Sequence, residues 1–190
     1  MRKLILLVHA SLDGFVAGLD GEMDWITFDE ELSDYVSKIT DDADAVMYGR
    51  ITYQMMESYW PTAAESPTAS KHDIDHAHWV NKALKIVFSK TLQKTDWANT
   101  RIINDINAQE ISTMKTKPGQ NILLIGSPSI AHALMQADLI DEYWININPV
   151  VLGEGIPLFK DISTKMNLRL VQSKSFGSGV LGLHYEVERN

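Results

Sequence analysis

The stretch "DAVMYGRITYQMM", residues 44–56, runs apolar up to Tyr48, breaks at Gly49-Arg50, and resumes at a different spacing. An unbroken apolar run of about four to eight residues marks a strand buried on both faces, whereas recurrence every three or four residues marks an amphipathic helix. The same switch recurs along the chain. Residues 3–9 read as a buried strand, then comes a polar, glycine-bearing loop from Ala10 to Asp24 and a helical pattern from Phe28 to Ile39. A strand from Asp44 to Tyr48 feeds a helix from about Arg50 to Ser58. Residues 60–73, "WPTAAESPTASKHD", with two prolines and many small residues, read as a loop or lid. A helix from Ile74 to Ala83 leads into the strand "LKIVFS". A short strand near Arg101 to Ile103 and a helix near Ala108 to Lys115 follow. "NILLIGSPSIAHALMQADLIDEYWININPVVLGEGIPLF" reads as strand, turn, helix and an unusually long strand. Two strands, Leu168 to Phe176 and Val180 to Glu188, close the chain as a hairpin around "GSG".

Strands alternating with helices predict an α/β fold, a three-layer α-β-α sandwich with a mixed, mainly parallel central sheet. The closing hairpin predicts an antiparallel edge. With 190 residues, 45% of them apolar, one core and one domain over 1–190 are expected. The formal net charge of −8 argues against an extended basic surface, and so against sequence-independent binding to nucleic acid or anionic membrane. A small-molecule partner is expected instead. Without cysteine, disulfide and thiolate chemistry are excluded, and a reducing, cytoplasmic location fits. The apolar core of "MRKLILLVHA", Leu4 to Val8, is shorter than a signal peptide requires, and no run approaches a membrane span.

Three strand-to-helix turns carry the chemistry. At Gly49-Arg50-Ile51-Thr52 a glycine allows close backbone approach, and the following helix start offers free N–H groups and a positive dipole end. Arg50 adds a fork of donors and Thr52 a hydroxyl, a set suited to the pyrophosphate of a dinucleotide. The bland alternative is a tight turn beside a solvated arginine. At Phe88-Ser89-Lys90-Thr91 a hydroxyl and an ammonium stand together, as a ribose 2′-phosphate needs, which favours NADP over NAD; a plain surface turn is the alternative. At Gly126-Ser127-Pro128-Ser129 the glycine permits close approach, the serines can cap, and proline suits a first helical turn. Ligands gather at the carboxyl ends of parallel strands, so the three turns are expected to converge on one edge. Neither GxGxxG nor GxxxxGK[ST] is present.

"HASLDGFVAGLDGEMDW" holds Gly14, Gly18 and Gly21 with four acids, and reads as a mobile loop able to close over a nicotinamide, or else as an ordinary exposed loop. In "WITFDEELSDYVSKI" the residues Phe28, Leu32, Tyr35, Val36 and Ile39 share a helical face, with Asp29 and Glu31 on its flanks. A half-buried flanking carboxylate would suit a proton donor; simple compensation of the helix dipole is the alternative. His72, His76 and His78 invite a metal reading, but no HExxH pattern completes it and no metal is expected.

Together "HASLDGFVAGLDGEMDW", "YGRITYQ", "VFSKTL" and the segment from "LLIGSPS" to "GIPLF" resemble, in order, the motifs of the dihydrofolate reductase fold. They are most similar to stand-alone relatives of the reductase domain of the riboflavin-biosynthesis deaminase-reductase. The resemblance implies an NADPH-dependent reductase of a small pterin-like or ribosylaminopyrimidine-like heterocycle. It implies cofactor contacts at Gly49, Arg50, Thr52, Gly126 and Ser127, with Ser89 and Lys90 near the 2′-phosphate and the backbones of Ala10 and Ala17 at the nicotinamide. Trp25 and Glu31 would stand beside the substrate, with Asp29 or Glu30 in place of Glu31 if the register slips; the proton donor expected here is Glu31 or Asp13. Gly153 and Gly155 in "LGEGIPLF" mark a loop at a substrate or dimer edge, with a homodimer joined through "EYWININPVVL". The chain departs from the riboflavin reductases at Leu7 and Ile125, where they carry a lysine and an acid, and at Ser127, where they carry a second glycine, which argues against the riboflavin precursor itself as substrate. A non-catalytic NADP(H)-binding or sensor protein is the competing reading.

Overall fold

In the computed structural model, which describes residues 1–189, the short apolar runs become one eight-stranded sheet. The strands are β1 (Leu4–Ser11), β3 (Ala43–Gly49), β4 (Leu84–Phe88), β5 (Thr100–Ile103), β6 (Asn121–Ile125), β7 (Glu142–Asn148), β9 (Asn167–Ser175) and β10 (Leu181–Glu188). Two short strands, β2 (Phe15–Ala17) and β8 (Ile156–Pro157), pair antiparallel beside it. The spatial order is β5-β4-β3-β6-β1-β7-β10-β9, in which the first six run parallel and β10 and β9 form the expected antiparallel edge.

Alternation along each central strand fills both faces. Leu4, Leu6, Val8 and Ala10 of β1 join a core under α4 (Ala108–Thr116) and α5 (Pro128–Gln136). Ile5 and Leu7 join a second core under α1 (Glu30–Asp41), α2 (Arg50–Tyr59) and α3 (Lys71–Lys82). A strand buried on both sides has no polar face, which is why these runs lack alternation in sequence. The three layers expected from the sequence are present.

Several boundaries differ from the expectation, each for a local reason. Asp29 is the N-cap of α1, its carboxylate accepting from the Leu32 amide at 2.8 Å, so Phe28 lies outside the helix and stays 45% exposed. Ser70 and Asp73 form a reciprocal capping box that starts α3 at Lys71, and a 3₁₀ turn at Ala63–Glu65 buries Ala63; segment 60–73 is therefore no free lid. The loop expected from Ala10 to Asp24 is also largely fixed. Strand β1 runs on to Ser11, whose hydroxyl accepts from the Phe15 amide, and Val16 and Ala17 are buried. The long strand ends at Asn148, before Pro149. It lies between β1 and β10, with both edges paired, and so supplies no edge for joining two copies.

Candidate functional site

The carboxyl ends of β4, β3, β6 and β1 stand side by side, so Ser89-Lys90, Gly49-Arg50, Gly126-Ser127 and Ala10-Ser11 occupy successive places along one sheet edge. Two of the turns are joined directly. The Gly49 amide donates to Ser127 Oγ at 2.7 Å in a buried hydrogen bond, and the Gly126 amide donates to the Leu7 carbonyl at 3.3 Å. A side chain at Gly49 would press on Ile130 and Ser127, while one at Gly126 would lie 3.6 Å from the methyl group of Thr52. Gly126 and Ser127 are successive left-handed residues, with φ of 57° and 54°. A serine held there is an uncommon backbone state of the kind that clusters at functional sites.

The helices that start at these turns differ from the other three. Asp29, Ser70 and Asn107 cap α1, α3 and α4 with side-chain oxygens, and each of those helices carries an acid in its first turn. Helices α2 and α5 have neither a side-chain cap nor a first-turn acid. Their positive ends are thus left without local compensation at the one edge where they meet, which suits an anionic ligand.

The cations flank this pair of helix ends. Arg50 is exposed, with Nη1 donating to Gln54 Oε1 at 2.9 Å. Lys90 is exposed and paired with Asp105 at 2.9 Å, a contact that raises its pKa and that a phosphate can replace. Ser89 is buried, and its Oγ accepts from the Thr91 and Leu92 amides at 3.2 and 2.9 Å, so it shapes the turn that presents Lys90. Ala10 is fully buried at the end of β1. Ala17 pairs with Ile156 across β2 and β8, and any side chain at Gly155 would collide with the Ala17 carbonyl oxygen.

Neither expected proton donor is placed for that task. Glu31 is exposed and ion-paired with Lys174 at 2.9 Å, so its carboxylate faces the last hairpin. Asp13 is an anchor: its carboxylate accepts from Ser11 Oγ at 2.7 Å, Gly153 N at 2.7 Å and Leu152 N at 3.1 Å. The Ser11 hydroxyl, with the two amides, holds it below the usual carboxylate range, the reverse of what a proton donor needs. Gly153, at φ 80°, spends its amide on this latch. Trp25 is partly exposed and ties its indole N–H to the Glu22 carbonyl at 3.3 Å, within its own loop.

Unexpected residues appear on the α1–α3 side of the same edge. His9 of β1 lies 5.7 Å from the Phe28 ring, Phe28 lies 5.2 Å from His72, and His72 and His76 pack against Trp60 at 6.3 and 4.2 Å. Burial holds His9 down to about 4. Asn146 and Asn148 of β7 register with His9 and Ser11. The signal was in the sequence, as polar residues inside otherwise apolar strands: "LLVHAS" and "WININ". His78 is exposed and takes no part in this group of rings.

A model of the RibD C-terminal domain matches residues 2–182. The chain belongs to the RibD C-terminal domain family. It is 36% identical over 189 residues to the uncharacterized protein YyaP of Bacillus subtilis, covering 97% of this chain and 94% of that one. It is 31% identical over 185 residues to the uncharacterized protein YwjB of the same organism, covering 97% of each. Among solved structures, the fold is similar to that of a putative riboflavin biosynthesis protein from Shewanella, with a TM-score of 0.75 at 21% identity, covering 98% of this chain and 99% of that chain. It is also similar to the Thermotoga maritima diaminohydroxyphosphoribosylaminopyrimidine deaminase/5-amino-6-(5-phosphoribosylamino)uracil reductase, with a TM-score of 0.68 at 16% identity. There the match covers 98% of this chain and 57% of the larger protein. The α/β sandwich described above is thus the fold of these RibD-like proteins.

Proposed function

We propose that this RibD C-terminal domain protein is an NADPH-dependent reductase of a small heterocyclic substrate. The observation that carries the reading is the junction of α2 and α5. Two helix starts without caps or acids are drawn together by the bond from Gly49 to Ser127, with Arg50 beside them and Lys90 one strand away. A pyrophosphate fits the paired helix ends, and the 2′-phosphate fits Lys90 once Asp105 is displaced. NADPH supplies the hydride when bound; the chain's own residues bind, orient and exclude water. Gly49 and Gly126 let the backbone approach the dinucleotide, and Ala10 and Ala17 present backbone where the nicotinamide would lie. With Asp13 and Glu31 both engaged elsewhere, the substrate's proton comes from solvent or from the substrate site itself.

The test is a fluorescence titration with NADPH followed by its oxidation in the presence of pterins and ribosylaminopyrimidines. Binding with turnover of one of these supports the reductase. Binding without any turnover supports the NADP(H)-sensing alternative, and absence of binding overturns both.

A further inference from the structure

A dinucleotide laid along this sheet edge has one order of parts. With the 2′-phosphate at Lys90 beyond β4 and the pyrophosphate where α2 and α5 meet beyond β3 and β6, the nicotinamide falls beyond β1, the next strand in the sheet. There the chain turns, with the Gly14 amide donating to the Ser11 carbonyl at 3.0 Å, and continues as β2, whose last residue is Ala17. Strand β2 is three residues long and pairs with none of the eight strands of the main sheet. A ribbon that small does not hold itself in place. Val16 reaches the core, and the backbone pairing comes from β8, within the segment 150–158 that follows β7.

This segment is fastened from two sides. On one side the Asp13 carboxylate accepts from the amides of Leu152 and Gly153 at 3.1 and 2.7 Å, and from the Ser11 hydroxyl at 2.7 Å. Two backbone bonds flank it, from the Leu12 amide to the Val150 carbonyl and from the Leu158 amide to the Gly14 carbonyl, each 2.8 Å long. On the other side His132 Nε2 faces the carbonyls of Pro157 and Leu158 at 3.0 and 3.1 Å. A carbonyl only accepts, so this ring nitrogen carries the proton and donates. His132 stands in α5, the helix that starts at the junction of Gly49 with Ser127. A continuous path of bonds therefore runs from the helix that faces the pyrophosphate, through His132 and β8, to β2. The fit leaves no slack, since a side-chain carbon at Gly155 would lie 2.3 Å from the Ala17 carbonyl oxygen.

We infer that Asp13 and His132 are positioning residues for the nicotinamide half of the cofactor, holding segment 150–158 so that β2 presents Ala17 at a fixed place relative to the start of α5. The inference rests on the reductase reading, because it assigns the far end of the same dinucleotide. Both residues act through the backbone at Ala17. The task of Asp13 is to accept three hydrogen bonds, which an ionised carboxylate does and a proton donor does not.

The test compares NADPH with adenosine 2′,5′-bisphosphate, which carries the adenosine and its phosphates without a nicotinamide, by calorimetric titration of the whole chain. The wild type should bind NADPH more tightly than the bisphosphate. Asp13→Ala and His132→Leu should each weaken NADPH about tenfold and change bisphosphate affinity by less than about twofold, because only the nicotinamide end loses its preorganised surface. His132→Gln, which keeps an N–H donor close to the place of Nε2, should return NADPH affinity to within about threefold of the wild type. Gly155→Ala displaces Ala17 directly and should behave like Asp13→Ala; it carries the test if Asp13→Ala does not fold. Equal weakening of both ligands in these variants, or a lowered melting temperature with NADPH affinity unchanged, overturns the inference while the reductase reading stands. Wild-type protein that binds neither ligand overturns both.

Discussion

At the scale of single residues, charge is placed where it holds the chain together, more than where a proton must move. Asp13 latches the β1–β2 turn to the loop at Gly153, and Glu31 pairs with Lys174 across to the last hairpin. Glu31→Gln is therefore expected to change NADPH oxidation by less than about twofold, since an exposed pair contributes little; a loss of about a hundredfold in a steady-state assay would restore Glu31 as the proton donor. Arg50→Ala, by contrast, is expected to weaken NADPH binding about tenfold by fluorescence titration, because it removes a charge-assisted donor beside the paired helix ends. Lys85 shows the same economy inside the core. It is fully buried, and its ammonium donates to the carbonyls of Val80 and Ala83 at 2.7 and 3.0 Å, closing the end of α3. Lys85→Met leaves those carbonyls unpaired and should cost about 1–3 kcal/mol in urea denaturation. Roles such as these were not legible in the sequence. A lysine inside "LKIVFS" looks like an exposed strand residue until α3 is seen to end above it.

At the scale of elements, the turns at Gly49 and Gly126 act as one unit. Ser127→Ala removes the acceptor for a buried amide and should destabilise the protein by about 1–3 kcal/mol. It should also weaken NADPH by about tenfold, measured on the same preparation, because α2 and α5 lose the bond that sets their starts side by side. Unchanged NADPH affinity with lowered stability would mean that the junction is structural only. Each turn separately was visible as a glycine at a change of period. Their bond was not, since residue 49 ends β3 and residue 127 follows β6, strands that become neighbours only in the sheet. The loop after β1 shows the converse. Its glycines suggest mobility, but pairing of β2 with β8 and the close approach of Gly155 to Ala17 are long-range contacts with no local signature.

At the scale of the whole molecule, stability should depend on pH through groups that folding keeps neutral. Burial holds His9 at about 4 and His76 at about 3, against about 6.5 in an unfolded chain. Between those values the unfolded chain binds protons that the folded one refuses, so stability falls as pH drops from about 6.5 toward 4 and gains nothing from these groups above 6.5. Lys85, held down to about 8, works the same way at the other end: its cost is full below 8 and is relieved as pH rises toward 10.5. Urea midpoints at pH 7, 5 and 4 should decline, and His9→Asn should flatten the decline; a midpoint independent of pH over this range would contradict both assignments. We also propose a homodimer. The interior strand β7 is excluded as its edge, and Leu170 and Leu181, 49% and 44% exposed on one face of the closing hairpin, are the surface for it. Sedimentation of Leu170→Glu as monomer and of the wild type as dimer is the expected pair of results. The alternation of unbroken apolar runs with helical spacing determined, by itself, the layered α/β architecture and the glycine turns at the strand ends, because backbone period and burial are local consequences of residue order. Strand order, the joining of Gly49 to Ser127, the diversion of Glu31 and Asp13, and the meeting of His9 with Asn146 were decided only by the tertiary structure. Each depends on which strands become neighbours, and that is settled by the packing of the whole core.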